Sequence, residues 1–371
     1  MNYFSVLFKI SKKNLKYRIL LIAAVLLAII QTFFTLSQNR QVLLEENSAD
    51  RSAVQSVLSE FKKVDLSAPD AKNDPLYTNL VQQSELLARK EQTLLFNNWP
   101  LFIDTSIELS TIRKDFRSLP GAENYTSYLP APSDNQLENA FYTRIKKADI
   151  PLMAQNNTIV MSMLTLFSFL GILWFPMTTL ITNDLLLEEL RHLSLTNGFP
   201  LALKKRLLTK IGFTTGFLLL ALGAVYLVCM AFAVHFPIGD LNYPVPVFLT
   251  SYTTLPFIGY LGILTFYFLL LAVFSCLLSI VLNYILNDFY LSLFFSFGLY
   301  LLPFFFPAAS AKLWFLPAIS LNPVKLLQGK HLEFSNYGNC FFGIMVLLFW
   351  CILFLIVIKR MITINTLRDR R

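Results

Sequence analysis

Six long runs of apolar residues, none of which contains an Asp, Glu, Lys or Arg, constrain this chain more than any other feature. A helix needs about 20 consecutive apolar residues to cross the hydrocarbon core of a bilayer, and lipid requires that it satisfy its own backbone hydrogen bonds. The runs are residues 19–36, 158–182, 211–234, 255–282, 289–306 and 340–358. The sequence therefore predicts an all-α integral membrane protein with six transmembrane helices.

The distribution of basic residues predicts the orientation of these helices. With six spans, both termini lie on the same face, together with the connection between the second and third spans. The basic residues of these three segments are Lys9, Lys12, Lys13, Lys16, Arg18, Arg191, Lys204, Lys205, Arg206, Lys210, Lys359, Arg360, Arg368, Arg370 and Arg371. The positive-inside rule makes this face cytoplasmic. The net charge of +8 is therefore a signal of topology, and nucleic-acid binding is the less favoured interpretation.

The segments between the spans have distinct compositions. Residues 1–18 place Phe and Leu on one stripe of a helix and Lys on the other, which is typical of a cytoplasmic interfacial helix. An ordinary positive flank of the first span is the alternative. The remaining predicted connections are a cytoplasmic segment 183–210, an outer loop 235–254, an outer segment 307–338 and a cytoplasmic tail 359–371.

Residues 37–157 form a large, polar, extracytoplasmic insertion between the first and second spans. Its apolar residues recur with helical more than strand periodicity. The predicted helices are residues 41–63, 76–96, 99–116 and 135–147. The insertion contains no histidine and no glycine-rich loop, and we interpret Asp104, Glu108 and Asp115 as solvated helix faces rather than as an acid–base pair.

Catalytic and metal-binding motifs are absent from the sequence. All four cysteines lie within apolar runs, and the three histidines are isolated from one another. No phosphate-binding loop and no nucleophile elbow occurs, so we expect no cofactor, no metal and no catalytic residue in this chain. The spans also lack the titratable groups that bind a driving ion in ion-coupled transporters. An associated ATPase could supply the energy for a transport step.

The cytoplasmic segment 183–210 has the pattern of a short amphipathic helix followed by a basic one. Asn183 and Asp184 can cap the first helix, and Pro200 ends it. Leu186, Leu190 and Leu193 share one face, and Glu188, Glu189, Arg191 and His192 are displayed elsewhere on the helix. The second helix begins with Lys204, Lys205 and Arg206. Such a helix can dock into the groove of a soluble partner, and a positively charged turn with a frayed helix is the alternative.

This segment resembles that of permeases of the ABC type-2 exporter family. The resemblance is carried by Glu188-Glu189, by Leu195-Thr-Asn-Gly-Phe-Pro200, by Lys204-Lys205-Arg206 and by Lys210, with its family-like spacing from Pro200. Two positions differ, since Arg191-His192 replaces a Gly-Thr pair and Ala202 replaces a Ser.

The resemblance implies a permease subunit of a bacterial cell-membrane transporter. Such a subunit pairs with a second copy or a paralogue and is driven by a separate ATP-binding cassette ATPase, which binds ATP and Mg. The implied coupling residues are Glu188, Glu189, Arg191, His192, Leu193, Pro200, Lys204, Lys205 and Arg206. Residues 307–338 would form short re-entrant helices at the outer mouth, and Pro176 would kink the second span.

The substrate is the most open question at this stage. Aromatic side chains could line an apolar path for a peptide, a bacteriocin or a lipid-like molecule, although such side chains in spans usually face lipid or pack against one another. The candidates are Phe167, Trp174, Phe175 and Phe213. A non-transporting immunity or sensor protein, whose outer domain binds a ligand, is the main rival. A membrane enzyme would need a polar cluster, which only Asp288 with Asn283 and Asn287, or Lys312, Lys325, Lys330 and His331, could begin.

Overall fold

The computed structural model describes residues 3–37, 41–61, 74–152, 158–187, 189, 201–335 and 338–368. Of these residues, 80% are helical. Five helices among them are long and apolar enough to cross a membrane. These are α2 (Leu15–Ser37), α7 (Ile159–Thr182), α8 (Leu203–Ala231), α9 (Phe257–Leu286) and α13 (Cys340–Arg368). They match five of the six predicted spans and establish a multi-pass helical membrane protein.

The sixth predicted span corresponds to a shorter helix, α10 (Phe289–Phe305), of 17 residues. Asp288 caps its first turn by accepting a hydrogen bond from the backbone N–H of Leu291 at 2.9 Å. Other helices continue beyond their apolar runs because the flanking basic residues add further turns. Thus α8 begins at Leu203 rather than at residue 211 and carries four cations on its first turns.

Helix α9 forms the centre of the membrane region. The fraction of its apolar window that is buried is 72%, against 22% for α2. It packs against α7, α8 and α13, and it is apolar around its whole circumference, as a buried helix must be. Hydroxyl groups join it to α7, where Thr178 Oγ1 and Ser275 Oγ lie 2.9 Å apart.

Four helices form a separate bundle next to the C-terminal end of α2. They are α3 (Gln41–Phe61), α4 (Pro75–Leu95), α5 (Trp99–Phe116) and α6 (Pro132–Ala148). Asp74 caps α4 and Asn98 caps α5, and each is followed by a proline in the first turn. The bundle has its own apolar cluster, which includes Val54, Leu80, Leu87, Leu109 and Phe116. These helices lie close to the four predicted in residues 37–157.

A β-hairpin occupies part of the segment that we predicted as an outer loop, residues 235–254. Strand β1 (Pro244–Phe248) pairs with the antiparallel strand β2 (Tyr252–Pro256). The β-branched Val245 and Val247 are buried, and helix α6 packs on the hairpin. Both strands are edges, which tolerate proline. Pro256 is the last residue of β2 and also the N-cap of α9, so the hairpin leads directly into the central helix.

Short helices lie in the segment between α10 and α13, where the family resemblance implies re-entrant helices. They include α11 (Pro307–Lys312) and α12 (Pro323–Leu327). Helix α12 lies so close to α7 that a Cβ added at Gly171 would come within 2.2 Å of Val324 Cγ2. The glycine therefore permits this approach.

The chain begins with the amphipathic helix α1 (Tyr3–Lys13), as predicted for residues 1–18. It packs on the first turns of α8, where the rings of Phe4 and Phe213 meet edge to face with centroids 5.4 Å apart. Helix α1 and the start of α8 thus lie at the end of the membrane helices that is opposite to the α3–α6 bundle.

Candidate functional site

Three buried charged residues join the segment after α7 to the base of α8. Glu189 Oε1 lies 3.1 Å from Lys210 Nζ, and Glu189 Oε2 lies 3.3 Å from Arg206 Nη2. The exposed fractions of these residues are 4% for Glu189, 6% for Arg206 and 6% for Lys210. We refer to Glu189, Arg206 and Lys210 as the α8-base cluster.

The helical repeat brings the two cations of the α8-base cluster together. Arg206 and Lys210 are four residues apart on α8, so their side chains lie on the same face. Two buried cations at this spacing repel each other unless an anion lies between them. Glu189 supplies that anion, and Lys210 Nζ also donates a hydrogen bond to the carbonyl oxygen of Leu185 at 3.2 Å. The cluster therefore fixes the junction after α7 against α8.

Further contacts attach the same junction to three other helices. Lys16 of α2 forms an ion pair with Asp184. Asn183 Nδ2 donates a hydrogen bond to the carbonyl oxygen of Phe289, at the start of α10, with a distance of 2.6 Å. Tyr3 Oη of α1 lies 3.5 Å from Glu189 Oε1. The junction thus connects α1, α2, α7, α8 and α10 at one end of the membrane helices.

The predicted coupling residues fall into three groups in this arrangement. Lys204 and Lys205 are exposed on the first turn of α8, where a partner can reach them. Glu189 and Arg206 are buried in the α8-base cluster. This position corrects the expectation that Glu189 lies on an exposed polar face, because the buried cations of α8 draw it inward. The remaining predicted residues, Glu188, Arg191, His192, Leu193 and Pro200, lie outside the described part of the chain.

The four aromatic residues predicted for a substrate path are all packed inside the protein. The indole of Trp174 stacks on Phe268 with centroids 4.7 Å apart, and its Nε1 donates to the carbonyl oxygen of Phe268 at 2.8 Å. Phe167 lies 4.7 Å from the ring of Tyr226. Phe175 and Phe213 are also buried. These contacts agree with the alternative interpretation, in which the aromatic residues pack inside the protein and do not line a substrate path.

The polar residues considered for an enzyme on the bundle side have separate structural contacts. His331 Nε2 lies 2.8 Å from the carbonyl oxygen of Gly338. Lys330 Nζ lies 3.1 Å from Asp134 Oδ1, and Lys325 Nζ lies 5.8 Å from the centroid of the Phe304 ring. Across the described residues, no three His, Cys, Asp or Glu side chains converge as metal ligands would.

The sequence analysis missed a buried ionic network in the α3–α6 bundle. Arg113 Nη2 lies 2.8 Å from Asp50 Oδ2, and Lys90 Nζ lies 2.8 Å from Glu138 Oε1. A signal for these residues does exist in the sequence. Lys90 occupies a position of the helical stripe that also contains the buried Leu80, Leu87 and Leu94, and a cation in such a stripe indicates a buried partner.

Comparisons with known proteins identified no relative of this chain. No protein-family model matches the chain, and no curated protein or solved structure matches it either. The function therefore has to be inferred from the residues and contacts of the chain itself.

Proposed function

We propose that this protein is the membrane-spanning permease subunit of an ATP-driven exporter of the ABC type-2 class. In this proposal α10 is a sixth span, both termini are cytoplasmic, and the α3–α6 bundle lies outside the cell membrane. The chain pairs with a second copy or a paralogue. A separate ATP-binding cassette ATPase binds ATP and Mg and supplies the energy.

The composition of the spans supports an external source of energy. The six apolar runs contain no Asp, Glu, Lys or Arg. Transporters that use an ion gradient place such groups inside the membrane, where they bind and release the driving ion. A permease that moves in response to an ATPase does not need them.

The α8-base cluster carries the mechanical part of the proposal. A force applied to the junction after α7 acts on α8 as well, because Glu189 is held by Arg206 and Lys210 on that helix. The hydrogen bond from Asn183 to Phe289 extends the connection to α10. Closure of an ATPase against this junction would therefore displace α7, α8 and α10 together. Glu189 acts here as a positioning residue, and the exposed Lys204 and Lys205 are the candidates for direct contact with the partner.

The substrate proposed for this permease is a peptide, a bacteriocin or a lipid-like molecule, moved outward. Aromatic side chains are exposed along α10, including Tyr290, Phe294 and Phe304. Such a surface suits an apolar or amphipathic cargo, or the second subunit, better than it suits a small polar solute.

Charge reversal of the two exposed lysines tests the coupling. The variant Lys204→Glu/Lys205→Glu should lose copurification with the ATPase and nucleotide-dependent transport, because an attractive contact becomes repulsive. A matched control is Arg89→Glu, since Arg89 is an exposed cation of the α3–α6 bundle. Full copurification and transport by the lysine variant would contradict docking at this junction.

Reversal of Glu189 is a poor test of docking. The variant Glu189→Lys would bury three cations together, so the loss of transport would come with a loss of stability. The lysine variant does not have this difficulty because both side chains are exposed.

A non-transporting immunity or sensor protein is the second candidate function. The observation that favours it is the α3–α6 bundle, which has its own apolar cluster and a polar cavity that could hold a ligand. Reconstituted vesicles distinguish the two functions. A sensor would bind its ligand without moving any cargo, whether or not the ATPase and ATP are present.

A further inference from the structure

An open groove of about 520 Å³ lies between helix α6 and strand β2. Helix α6 provides most of its wall, the end of α5 adds one side chain, and three consecutive residues of β2 form the opposite side. We define the α6 groove by its three cations and by two threonines of β2, which are Lys114, Arg144, Lys147, Thr253 and Thr254. A groove of this volume is within the size range of small-molecule sites.

The charged side chains of the α6 groove are all cations. Lys114 comes from α5, and Arg144 and Lys147 come from the last turns of α6. Among the described residues that line the groove, none is an Asp or a Glu. The three cations are exposed, so a ligand in the groove can reach them. Arg144 and Lys147 are three residues apart and therefore lie on the same face of α6.

The protein does not neutralise these three cations. Lys146, which does not line the groove, lies with its Nζ 2.7 Å from Asp104 Oδ1, and three further cations of the α3–α6 bundle also pair with carboxylates. In contrast, Lys114, Arg144 and Lys147 form no ion pair with any residue that the structure describes. The α6 groove therefore concentrates positive charge that is available to an anion.

Strand β2 adds a backbone hydrogen-bond donor to the α6 groove. The backbone N–H of Phe257 donates to the carbonyl oxygen of Tyr243 at 2.9 Å, and hydrogen-bonded and non-hydrogen-bonded pairs alternate along an antiparallel ladder. Thr254 pairs with Pro246 three positions further along the ladder, which is a non-hydrogen-bonded position. The N–H of Thr254 therefore points away from β1, toward the free edge of β2.

The α6 groove lies beside the ends of the membrane helices. Ile145, between the two cations of α6, belongs to the apolar cluster of the membrane helices. On the opposite side, Pro256 leads from β2 directly into α9, two residues after Thr254. Ile258, in the first turn of α9, and Leu241, which accepts a backbone hydrogen bond from Ile258, are both exposed. Exposed apolar side chains next to a span are expected where the protein meets lipid, so the groove is at the level of the lipid headgroups.

We propose that the α6 groove binds the headgroup phosphate of an anionic phospholipid in the leaflet next to the α3–α6 bundle. The guanidinium of Arg144 and the ammonium of Lys147 pair with phosphate oxygens, as both groups do in other phosphate sites. The backbone N–H of Thr254 donates to a further phosphate oxygen. The acyl chains stay in the bilayer, beside the exposed Ile258 and Leu241.

A phosphate fits the α6 groove because it presents several oxygens to cations and N–H donors at once. The neighbouring bilayer supplies this group at high local concentration, and each basic residue close to an anionic membrane surface adds to the attraction. The inference does not rest on the proposed function, since it requires only that α9 crosses the membrane.

Native mass spectrometry of the full chain tests the proposal. The protein is purified without the ATPase in an uncharged detergent and titrated with dioleoyl phosphatidylglycerol. The matched probe is dioleoyl phosphatidylcholine, which has the same acyl chains and a phosphate but no net charge. We expect phosphatidylglycerol to bind at least about tenfold more tightly than phosphatidylcholine. Equal affinity for the two lipids would overturn the proposal.

Two double variants distinguish the α6 groove from the basic residues at the other end of the spans. Arg144→Gln/Lys147→Gln should lose one tightly bound phosphatidylglycerol, with the affinity at that site falling about tenfold or more. The control Arg89→Gln/Lys146→Gln removes the same charge from exposed residues of the bundle that do not line the groove, and it should retain this lipid. Circular dichroism shows whether both variants are folded. Retention of the lipid by the groove variant, or its equal loss from both variants, would contradict a site at this groove.

Two soluble probes distinguish the lipid from other anions. Glycerophosphoglycerol is the headgroup without acyl chains, and N-acetyl-Glu-Glu-Glu-amide is an acidic peptide. We expect both to bind at least about tenfold more weakly than phosphatidylglycerol, because neither is held beside the groove by a bilayer or a micelle. Binding of the free headgroup as tight as that of the lipid would make a soluble phosphate ester the ligand. Tighter binding of the acidic peptide would replace the lipid by a protein partner, and either result would overturn the proposal.

Discussion

Glu189 and Glu46 occupy opposite ends of the membrane helices and have opposite surroundings. Glu189 is buried between Arg206 and Lys210, each within 3.3 Å of one of its oxygens. Glu46 lines an open cavity, and the nearest basic residues of that cavity already pair with Asp50 and Glu138. A carboxylate with two cations of its own holds a structure together. Glu46 is exposed instead, so water hydrates its carboxylate.

Each of the two regions also contains a network of buried charges. The α8-base cluster and the ionic network of the α3–α6 bundle both contain cations that are more than nine-tenths buried. In both places, removal of one partner leaves a charge in a poorly hydrated position, which is strongly destabilising. The two networks differ in the exposure of their carboxylates, since the side chains of Asp50 and Glu138 are 32% and 26% exposed and that of Glu189 is 5% exposed. The predictions below test this difference, and they run from the largest expected effect to the smallest.

Replacement of Glu189 should have the largest effect on stability. The variant Glu189→Leu removes the anion shared by Arg206 and Lys210, and we expect the free energy of unfolding to fall by about 3–5 kcal/mol. Thermal unfolding of the full chain in detergent measures this loss of stability. Glu45→Gln serves as the control because Glu45 is exposed. A variant as stable as the control would mean that Glu189 is not a structural residue, and the comparison with Glu46 would fail.

Removal of Arg113 should have a somewhat smaller effect. The variant Arg113→Met leaves Asp50 without its partner, but the side chain of Asp50 is 32% exposed and partly hydrated. We expect a loss of about 2–3 kcal/mol. The control is Arg51→Met, because Arg51 pairs with Glu91 in the same bundle at an exposed position and should lose less than about 1 kcal/mol. Equal losses for the two variants would show that burial does not distinguish Arg113 from Arg51.

The replacement of Glu46 by glutamine should stabilise the protein slightly at neutral pH. The pKa of the Glu46 carboxyl is raised in the folded state, so the folded protein binds this proton more tightly than the unfolded chain does. Stability therefore falls as the pH rises from the unfolded pKa through the folded pKa, and Glu46→Gln abolishes this fall. Because Glu46 keeps contact with solvent, the melting temperature should rise by no more than about 2 °C.

The pH dependence makes the Glu46 prediction decisive. The gain in melting temperature should be larger at pH 7 than at pH 4, where the Glu46 carboxyl of the unfolded chain is also mostly protonated. A variant that is less stable than the wild type at pH 7 would indicate that Glu46 has a cationic partner within the protein.

The smallest effect is expected for the ion pair between Lys16 and Asp184. The side chains are 43% and 24% exposed, so water screens the attraction. We expect Lys16→Ala to lower the free energy of unfolding by less than about 1 kcal/mol. Lys13→Ala, which removes an exposed cation near the end of α1, provides the reference. A loss as large as that of Glu189→Leu would make Lys16 part of the buried network rather than an accessory contact.

The spans and the bundle helices could be predicted from the sequence because their signals are local. Uninterrupted apolar runs identify α2, α7, α8, α9 and α13, and proline after a capping side chain marks the start of α4 and α5. The exact ends of the spans could not be predicted, since a charged residue such as Lys210 can continue a helix when tertiary contacts neutralise it.

The partners of the buried charges could not be predicted because they are distant in the sequence. Glu138 pairs with Lys90, and Asp50 pairs with Arg113, across helices that only the fold brings together. The β-hairpin was missed because the three prolines 244, 246 and 256 suggested an irregular segment, although Val245 and Val247 alternate with them as strand residues do. For aromatic residues such as Trp174 the sequence left both interpretations open, since composition alone does not distinguish a pore lining from a core.

The position of Pro256 has a consequence for how the two halves of the molecule communicate. This single residue ends β2 and caps α9. No flexible segment therefore separates the β-hairpin, on which α6 packs, from α9, the most buried of the membrane helices. A tilt of the α3–α6 bundle on ligand binding would therefore be transmitted directly to α9, at the centre of the membrane region. Two glycines inserted after Pro256 would add flexibility at this point and uncouple movement of the α3–α6 bundle from movement of α9.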